Sequence, residues 1–186
     1  MPNIIVLAKQ VFYTQDLRID RTTKKLKTEG VARVISESDK NAIEEAVRLK
    51  EKHGGKVTAL TLGPPEAKEA LREAIAMGAD EGYMLVGPEF EGSDAHATAV
   101  ALSAAIKKIG QFDLVLCGET SEDQYSFQVG PRTAENLNLP LMTYAVKVTL
   151  QDAKVVVERN LEDCYEAVES NLPAFITVSR EINEPR

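Results

Sequence analysis

The sequence has no tryptophan, two histidines and two cysteines, and only 5% of its residues are aromatic. Cys117 and Cys164 are too few for a disulfide framework, and neither stands in a CxxC or Cys/His ligand spacing. Cys117 ends the apolar run Leu114-Val115-Leu116 and reads as a small buried hydrophobe, while Cys164 follows two acids and reads as a turn residue. Two histidines and the absence of a GxSxG elbow argue against a hydrolase built on a Ser, His, Asp set. His53 lies at the charged end of a helical stretch beside Gly54-Gly55, and His96 in the first turn of SDAHATA; both read as solvated or packing side chains. No GxGxxG follows the first apolar run and no GxxxxGK[ST] occurs, which argues against an ordinary dinucleotide Rossmann site and a P-loop. Long hydrophobic runs are missing too. The opening MPNIIVLAKQ holds five consecutive apolar residues before Lys9, too few for a secretory segment, and nothing reaches the roughly 18 that a membrane span needs. Basic residues are outnumbered, 22 against 29 acids for a net charge of −7, and they form no run. Duplex binding, which rests on clustered Lys and Arg, is disfavoured. The expected compartment is therefore the cytoplasm, or the mitochondrial matrix in a eukaryote, with no nucleic-acid partner and no membrane insertion.

What is present is an ordinary globular composition, 44% hydrophobic and 27% charged, over 186 residues. That suits a single domain able to bury roughly 70% of its unfolded surface. Short, nearly continuous apolar runs at Ile4 to Ala8, Val57 to Leu62, Gly82 to Val86 and Leu114 to Cys117 have the pattern of strands covered on both faces. Helical periods lie between them. Asp39 to His53 carries an apolar stripe, with Asp39 placed as N-cap. Pro64 to Met77 opens on proline and closes at Gly78, and Ser93 to Ile109, with Asp94 at its start, ends in Lys107-Lys108-Gly110. A fourth helix spans about Gln128 to Leu137. This alternation predicts a doubly wound α/β domain with a mainly parallel sheet and helices on both faces. From about 141 to 170 the texture becomes that of an antiparallel meander, with strands at Thr143 to Leu150, Lys154 to Arg159 and Tyr165 to Glu169, before a last strand at Ala174 to Val178. Phe12 to Arg33, polar and of mixed charge, reads as a hairpin-like excursion.

In such sheets ligands bind beyond the carboxyl ends of the strands, where strand order reverses. The candidate loops follow Ala8, Leu62 and Cys117. The third, from Gly118 to Ala134, is polar, carries hydroxyls at Thr120, Ser121, Ser126 and Thr133, and runs into a helix whose free N–H groups and positive dipole end suit an anion such as phosphate. On residue type alone, Ser126 could equally well cap that helix.

The motifs VLAKQV from Val6, EGV, DKNAIEEAVRLKEKHGG from Asp39, LTLGP from Leu60, REAIAMGAD from Arg72, GSDAHATA from Gly92, FDLVLCG from Phe112, QVGPRTAENLNLP from Gln128 and NEPR at the end stand in one order and spacing. Nearly the whole chain resembles the β subunit of electron transfer flavoproteins, a family that includes nitrogen-fixation-associated β-like subunits. The resemblance implies a heterodimer with an α subunit that carries the redox FAD and takes electrons from acyl-CoA or other dehydrogenases toward a quinone reductase. It also implies a nucleotide buried in the β subunit itself, AMP in ordinary members or a second FAD in electron-bifurcating ones. Carried onto this chain, that nucleotide would meet Leu7 and Ala8, Ser36 to Asp39, Leu62, and the stretch of Asp123, Ser126, Gln128, Val129, Gly130, Thr133 and Ala134. The resemblance implies no catalytic residue and no metal in this subunit.

Several positions depart from the family pattern. The phosphate loop, commonly D-G-D-T-G/A-Q-V/T-G, here reads Asp123-Gln124-Tyr125-Ser126-Phe127-Gln128-Val129-Gly130. Ser36-Glu37-Ser38-Asp39 stands where the family has N-P-[FY]-[DC], and Glu119 where a lysine often follows the strand-end glycine. Glu37 and Glu119 bring negative charge toward a phosphate and Phe127 brings a ring, which together favour AMP over a second FAD. Asp163-Cys164 replaces a pair of glycines, and the chain ends at NEPR, where family members continue into a partner-binding tail. The alternative reading is a stand-alone adenine-nucleotide-binding module of the stress-protein kind.

Overall fold

The computed structural model describes residues 1–186. In chain order the elements are β1 (Asn3–Leu7), β2 (Gln10–Phe12), β3 (Arg18–Ile19), β4 (Leu26–Lys27), β5 (Arg33–Ile35), α1 (Glu37–His53), β6 (Lys56–Leu62), α2 (Lys68–Ala76), β7 (Glu81–Leu85), α3 (Ala95–Ile109), β8 (Leu114–Gly118), α4 (Val129–Leu137), β9 (Leu141–Gln151), β10 (Lys154–Asn160), β11 (Tyr165–Asn171) and β12 (Ala174–Val178). Eight strands form one sheet in the order β11-β10-β9-β12-β8-β1-β6-β7. The six from β9 to β7 run parallel, and β10 and β11 add the antiparallel part. The fold is the doubly wound α/β arrangement expected from the alternating pattern.

The unbroken apolar runs come from burial on both sheet faces. Ile4 and Val6 of β1 and Leu114 and Leu116 of β8 face α1 and α2, in one large core with Ala42, Ile43, Ala46 and Val47. Their neighbours Ile5, Leu7, Val115 and Cys117 face the other way, against Leu102 and Ile106 of α3 and Ala134 of α4. Each residue of β12 is buried, with Phe175 turned to the α3/α4 side. The exception among the parallel strands is β7. Expected to be covered on both faces, it is instead the edge of the sheet, and Tyr83 is 47% exposed.

Local chemistry adjusts the helix boundaries. Asp94 caps α3, its Oδ1 accepting the Ala97 N–H at 2.8 Å. The Pro64 to Met77 segment opens with a 3₁₀ turn at Pro65–Ala67, so α2 proper begins at Lys68. Asp39 is not the cap of α1; the helix starts two residues earlier at Glu37, which places Asp39 inside the first turn. The excursion after β1 resolves into two short ladders, β2 with β5 and β3 with β4. No helix is long and apolar enough to cross a membrane.

Phe175 is the largest fully buried side chain, and it lies between β8, β9 and α4. Phe175→Ala is expected to lower unfolding free energy by about 3–5 kcal/mol in urea titrations, with an unchanged denaturant slope. A loss below about 1 kcal/mol would mean that this side of the core is loosely packed.

Candidate functional site

From β1 the chain builds outward to β6 and β7, then crosses back to place β8 on the other side of β1. Strand order therefore reverses between β1 and β8, and the loops leaving their carboxyl ends diverge there. The start of α1 is wedged between them. Asp39, only 7% exposed, accepts the Lys9 N–H at its Oδ2 and the Gly118 N–H at its Oδ1, both at 2.8 Å. One carboxylate thus ties the ends of both strands to the helix. Burial, with the nearby charge of Glu122 adding to it, pushes the Asp39 carboxyl up to about 7, although its two N–H partners favour the ionised form.

The approach is so close that β8 must end on glycine. A Cβ on Gly118 would stand 2.3 Å from Ser38 Oγ and 2.7 Å from the Ser38 carbonyl carbon. Ser38 Oγ instead donates to the Thr120 carbonyl. The N-terminus of α1 is finished by another element, since Glu122 accepts the Glu37 N–H at 2.9 Å. Arg180 then pairs with Glu37 at 2.5 Å and with Glu122 at 3.1 Å.

Between the diverging loops lies a cleft of about 290 Å³. Leu7, Leu60, Leu62 and Leu102 supply apolar wall, and Lys9, Glu119, Ser121, Asp123 and Ser126 supply polar groups. The first turn of α4 closes one side. Its Val129 and Gly130 N–H groups have no acceptor within the chain. Gly130 is required by proximity, because a Cβ there would meet Thr177 Cγ2 at 2.8 Å and Cys117 Sγ at 2.9 Å. The Thr120 hydroxyl, at the cleft wall, is buried without a hydrogen-bond partner. These donors suit a phosphate-sized anion at a helix start. Burial, and after it the charge of Asp39, pushes the Cys117 thiol well above its usual range, so it is a neutral wall.

Nine of the residues nominated from sequence line this cleft. They are Leu7 and Ala8 from β1 and its end, Asp39, Leu62, and Asp123, Ser126, Gln128, Val129 and Gly130 from the loop into α4. Ser36, Thr133 and Ala134 lie outside it. Ser36 is fully buried at the N-cap of α1, Thr133 donates to the Val129 carbonyl at 2.7 Å, and Ala134 belongs to the core. Ser126 caps nothing; Gln128 holds the N-cap position of α4, without a side-chain bond. Sequence reasoning passed over Lys9, whose Nζ reaches both Asp123 oxygens at 2.7 and 2.8 Å and Ser121 Oγ at 3.2 Å. A cation directly after the first strand was the available signal. Phe90 and Thr98 also line the cleft, and no sequence pattern marked them.

The electrostatics differ from the expectation at Glu37. Its carboxylate is paired with Arg180, which it shares with Glu122, and it does not line the cleft. Burial acts to raise the Asp123 carboxyl, but hydrogen bonds from Lys9 and Ser121 outweigh it and hold the group below its usual range. Glu119 does face the cleft, and burial pushes its carboxyl up against the opposing charge of Arg180. Tyr125 and Phe127 sit at φ of 48° and 55°, left-handed conformations that cost a non-glycine residue about 1 kcal/mol or more each. Their rings pack edge to face at 6.1 Å.

Asp39 holds its extra proton in the folded chain up to about pH 7, whereas 3.8 is its ordinary value. Its contribution to stability is therefore present at acid pH and lost as pH rises toward 7. Between about pH 5 and 8, the stability of the wild type relative to Asp39→Asn should fall by roughly 3 kcal/mol in urea titrations. Parallel profiles would show that Asp39 does not titrate in this range.

Comparison with known proteins gives a consistent picture. The model of the electron transfer flavoprotein domain matches residues 23–186. An electron transfer flavoprotein subunit beta of Thermoanaerobacterium thermosaccharolyticum is 52% identical over 184 residues, covering 99% of this chain and 70% of that one. The caffeyl-CoA reductase-Etf complex subunit CarD of Acetobacterium woodii is 42% identical, over 98% of this chain and 70% of its own length. Protein FixA of Sinorhizobium fredii is 40% identical, over 95% and 64%. Among solved structures, a universal stress protein in complex with cAMP aligns with a TM-score of 0.36 and 18% identity, over 74% of this chain and 87% of that one, a likeness too slight to bear on the site. With a family model and relatives of this identity spanning nearly its whole length, the chain belongs to the electron transfer flavoprotein β-subunit family.

Proposed function

We propose that this chain is the nucleotide-binding partner subunit of an electron-transferring flavoprotein, holding AMP in the cleft between β1 and β8 and pairing with an α subunit that carries FAD. The observation that carries the reading is that the free Val129 and Gly130 N–H groups and the unpartnered Thr120 hydroxyl belong to the lining of one cleft at the strand-order reversal. In this reading the α4 start holds the phosphate, Lys9 keeps the Asp123 carboxylate neutralised beside it, and the apolar wall of Leu7, Leu60 and Leu62 takes the base. A volume of about 290 Å³ lies at the lower edge of the range for ligand pockets, which favours a mononucleotide over a second FAD. FAD on the α subunit supplies the one- and two-electron chemistry. This chain contributes a rigid, water-excluding body beside it, and the pair carries electrons from acyl-CoA or other dehydrogenases to a quinone reductase.

Denaturing the isolated chain and identifying the released small molecule by mass spectrometry is expected to yield AMP; release of ATP would support a stand-alone module, and FAD the bifurcating type. Mixing with the cognate α subunit should give a yellow heterodimer.

Two substitutions report on the phosphate end. Ser126→Glu puts a carboxylate beside the α4 start and is expected to abolish AMP retention, whereas Glu119→Gln removes a charge facing the cleft and should tighten AMP about two- to fivefold in calorimetric titrations. If Ser126→Glu retains AMP as the wild type does, the phosphate is not at this helix start.

A further inference from the structure

The excursion between β2 and β5 has a property found nowhere else in the chain. From Phe12 to Val34 no residue is buried, and every residue from Arg21 to Gly30 is exposed. It is nevertheless an ordered hairpin. Arg18 pairs with Lys27 and Ile19 with Leu26. Asp20 closes the turn by accepting the Thr22 and Thr23 N–H groups at 2.9 and 2.8 Å, and it pairs with Lys27 at 3.1 Å. At its base Arg33 lies over the Phe12 ring at 4.6 Å, and Gln10 bonds the Glu66 carbonyl at 3.0 Å.

A two-stranded hairpin without a core is marginal in water. This one carries two further costs. Ile19 and Leu26, cross-strand partners, stand side by side at 63% and 60% exposure. On the opposite face the like charges Arg18 and Lys27 are directly across from each other, a repulsive pairing that Asp20 offsets from one side only. The charge is also segregated. Residues 18–33 hold six of the chain's 22 basic residues but two of its 29 acids. An apolar surface covering Ile19 and Leu26, flanked by carboxylates meeting Arg18, Arg21 and Lys27, would relieve both costs. The hairpin is inserted between β1 and α1, at the end of the sheet where the cleft opens.

We propose that the hairpin of residues 18–27 is a docking arm for the FAD-bearing subunit, received by an acidic surface around an apolar depression. This rests on the pairing stated under the proposed function. A subunit seated on the arm lies over the same end of the sheet as the nucleotide cleft, so the two cofactors are brought to one side of the molecule.

The test is the affinity of the full chain for the cognate FAD-bearing subunit at low salt and at about 0.3 M salt. Wild type should bind with clear weakening at the higher salt. Ile19→Ser with Leu26→Ser should weaken binding about tenfold or more while leaving that salt dependence in place. Arg18→Glu with Lys27→Glu should weaken it about as much and flatten the salt dependence. Both variants should retain AMP and melt as wild type does, because the arm buries nothing. Two variants that bind as wild type would overturn the arm and leave the pairing intact; a wild type that does not bind would overturn the pairing itself. Self-association of the chain abolished by the same substitutions, or wild-type co-sedimentation with phosphatidylserine vesicles that the FAD-bearing subunit does not compete away, would assign the arm to another surface and overturn the proposal.

Discussion

The Asp39 carboxylate is the point on which the site depends. The ends of β1 and β8 must diverge for a cleft to exist, and that leaves the N–H groups of Lys9, part-buried, and Gly118, buried, in need of an acceptor. A single side chain from the first turn of α1 satisfies both. Keeping a charge there is costly, and that cost is visible in the raised proton affinity of the group. The glycine at the end of β8 follows from the same constraint, since the helix and strand that Asp39 draws together leave no room for a Cβ.

Around this point the chain disposes of its surplus negative charge by pairing. Arg180, just beyond β12, holds Glu37 and Glu122, and Glu122 in turn finishes the α1 N-terminus. Lys9 holds Asp123 across the cleft. Two helix starts approach the site, and they are treated differently. That of α1 is filled by the chain's own carboxylate, while that of α4 keeps its donors free, so only one of the two dipole ends is offered to an anion.

The fold was legible because burial on both faces leaves an unmistakable run in β1, β6, β8 and β12, and because the crossover rules then leave few topologies. Edge position is not written in such runs, which is why β7 read like its buried neighbours. The site's loops were legible from sheet logic, and nine nominated residues do surround one cleft. What could not be read was the direction in which a polar side chain points. Asp39 has the residue type and place of an N-cap, but tertiary contacts with two other strands claim it. Glu37 looked like a charge aimed at the ligand until a residue 143 positions later in the chain, Arg180, was brought against it. Tyr125 and Phe127 stand where the family pattern has an acid and a small residue, and nothing local announces that both adopt left-handed backbone with their rings in contact.

The position of β12 has a consequence for biosynthesis. It is made after β9, β10 and β11 but lies between β9 and β8 in the sheet. Until Val178 has left the ribosome, β8 presents an unpaired, wholly apolar strand edge, and the meander has nothing joining it to the rest of the sheet. The ladders of β1 with β6, β1 with β8 and β6 with β7 involve only strands made earlier, whereas the meander joins them only through β12. The last strand to be made is thus the one that unites the two halves of the sheet, so a chain ending before Ala174 would lack the ladders that join them.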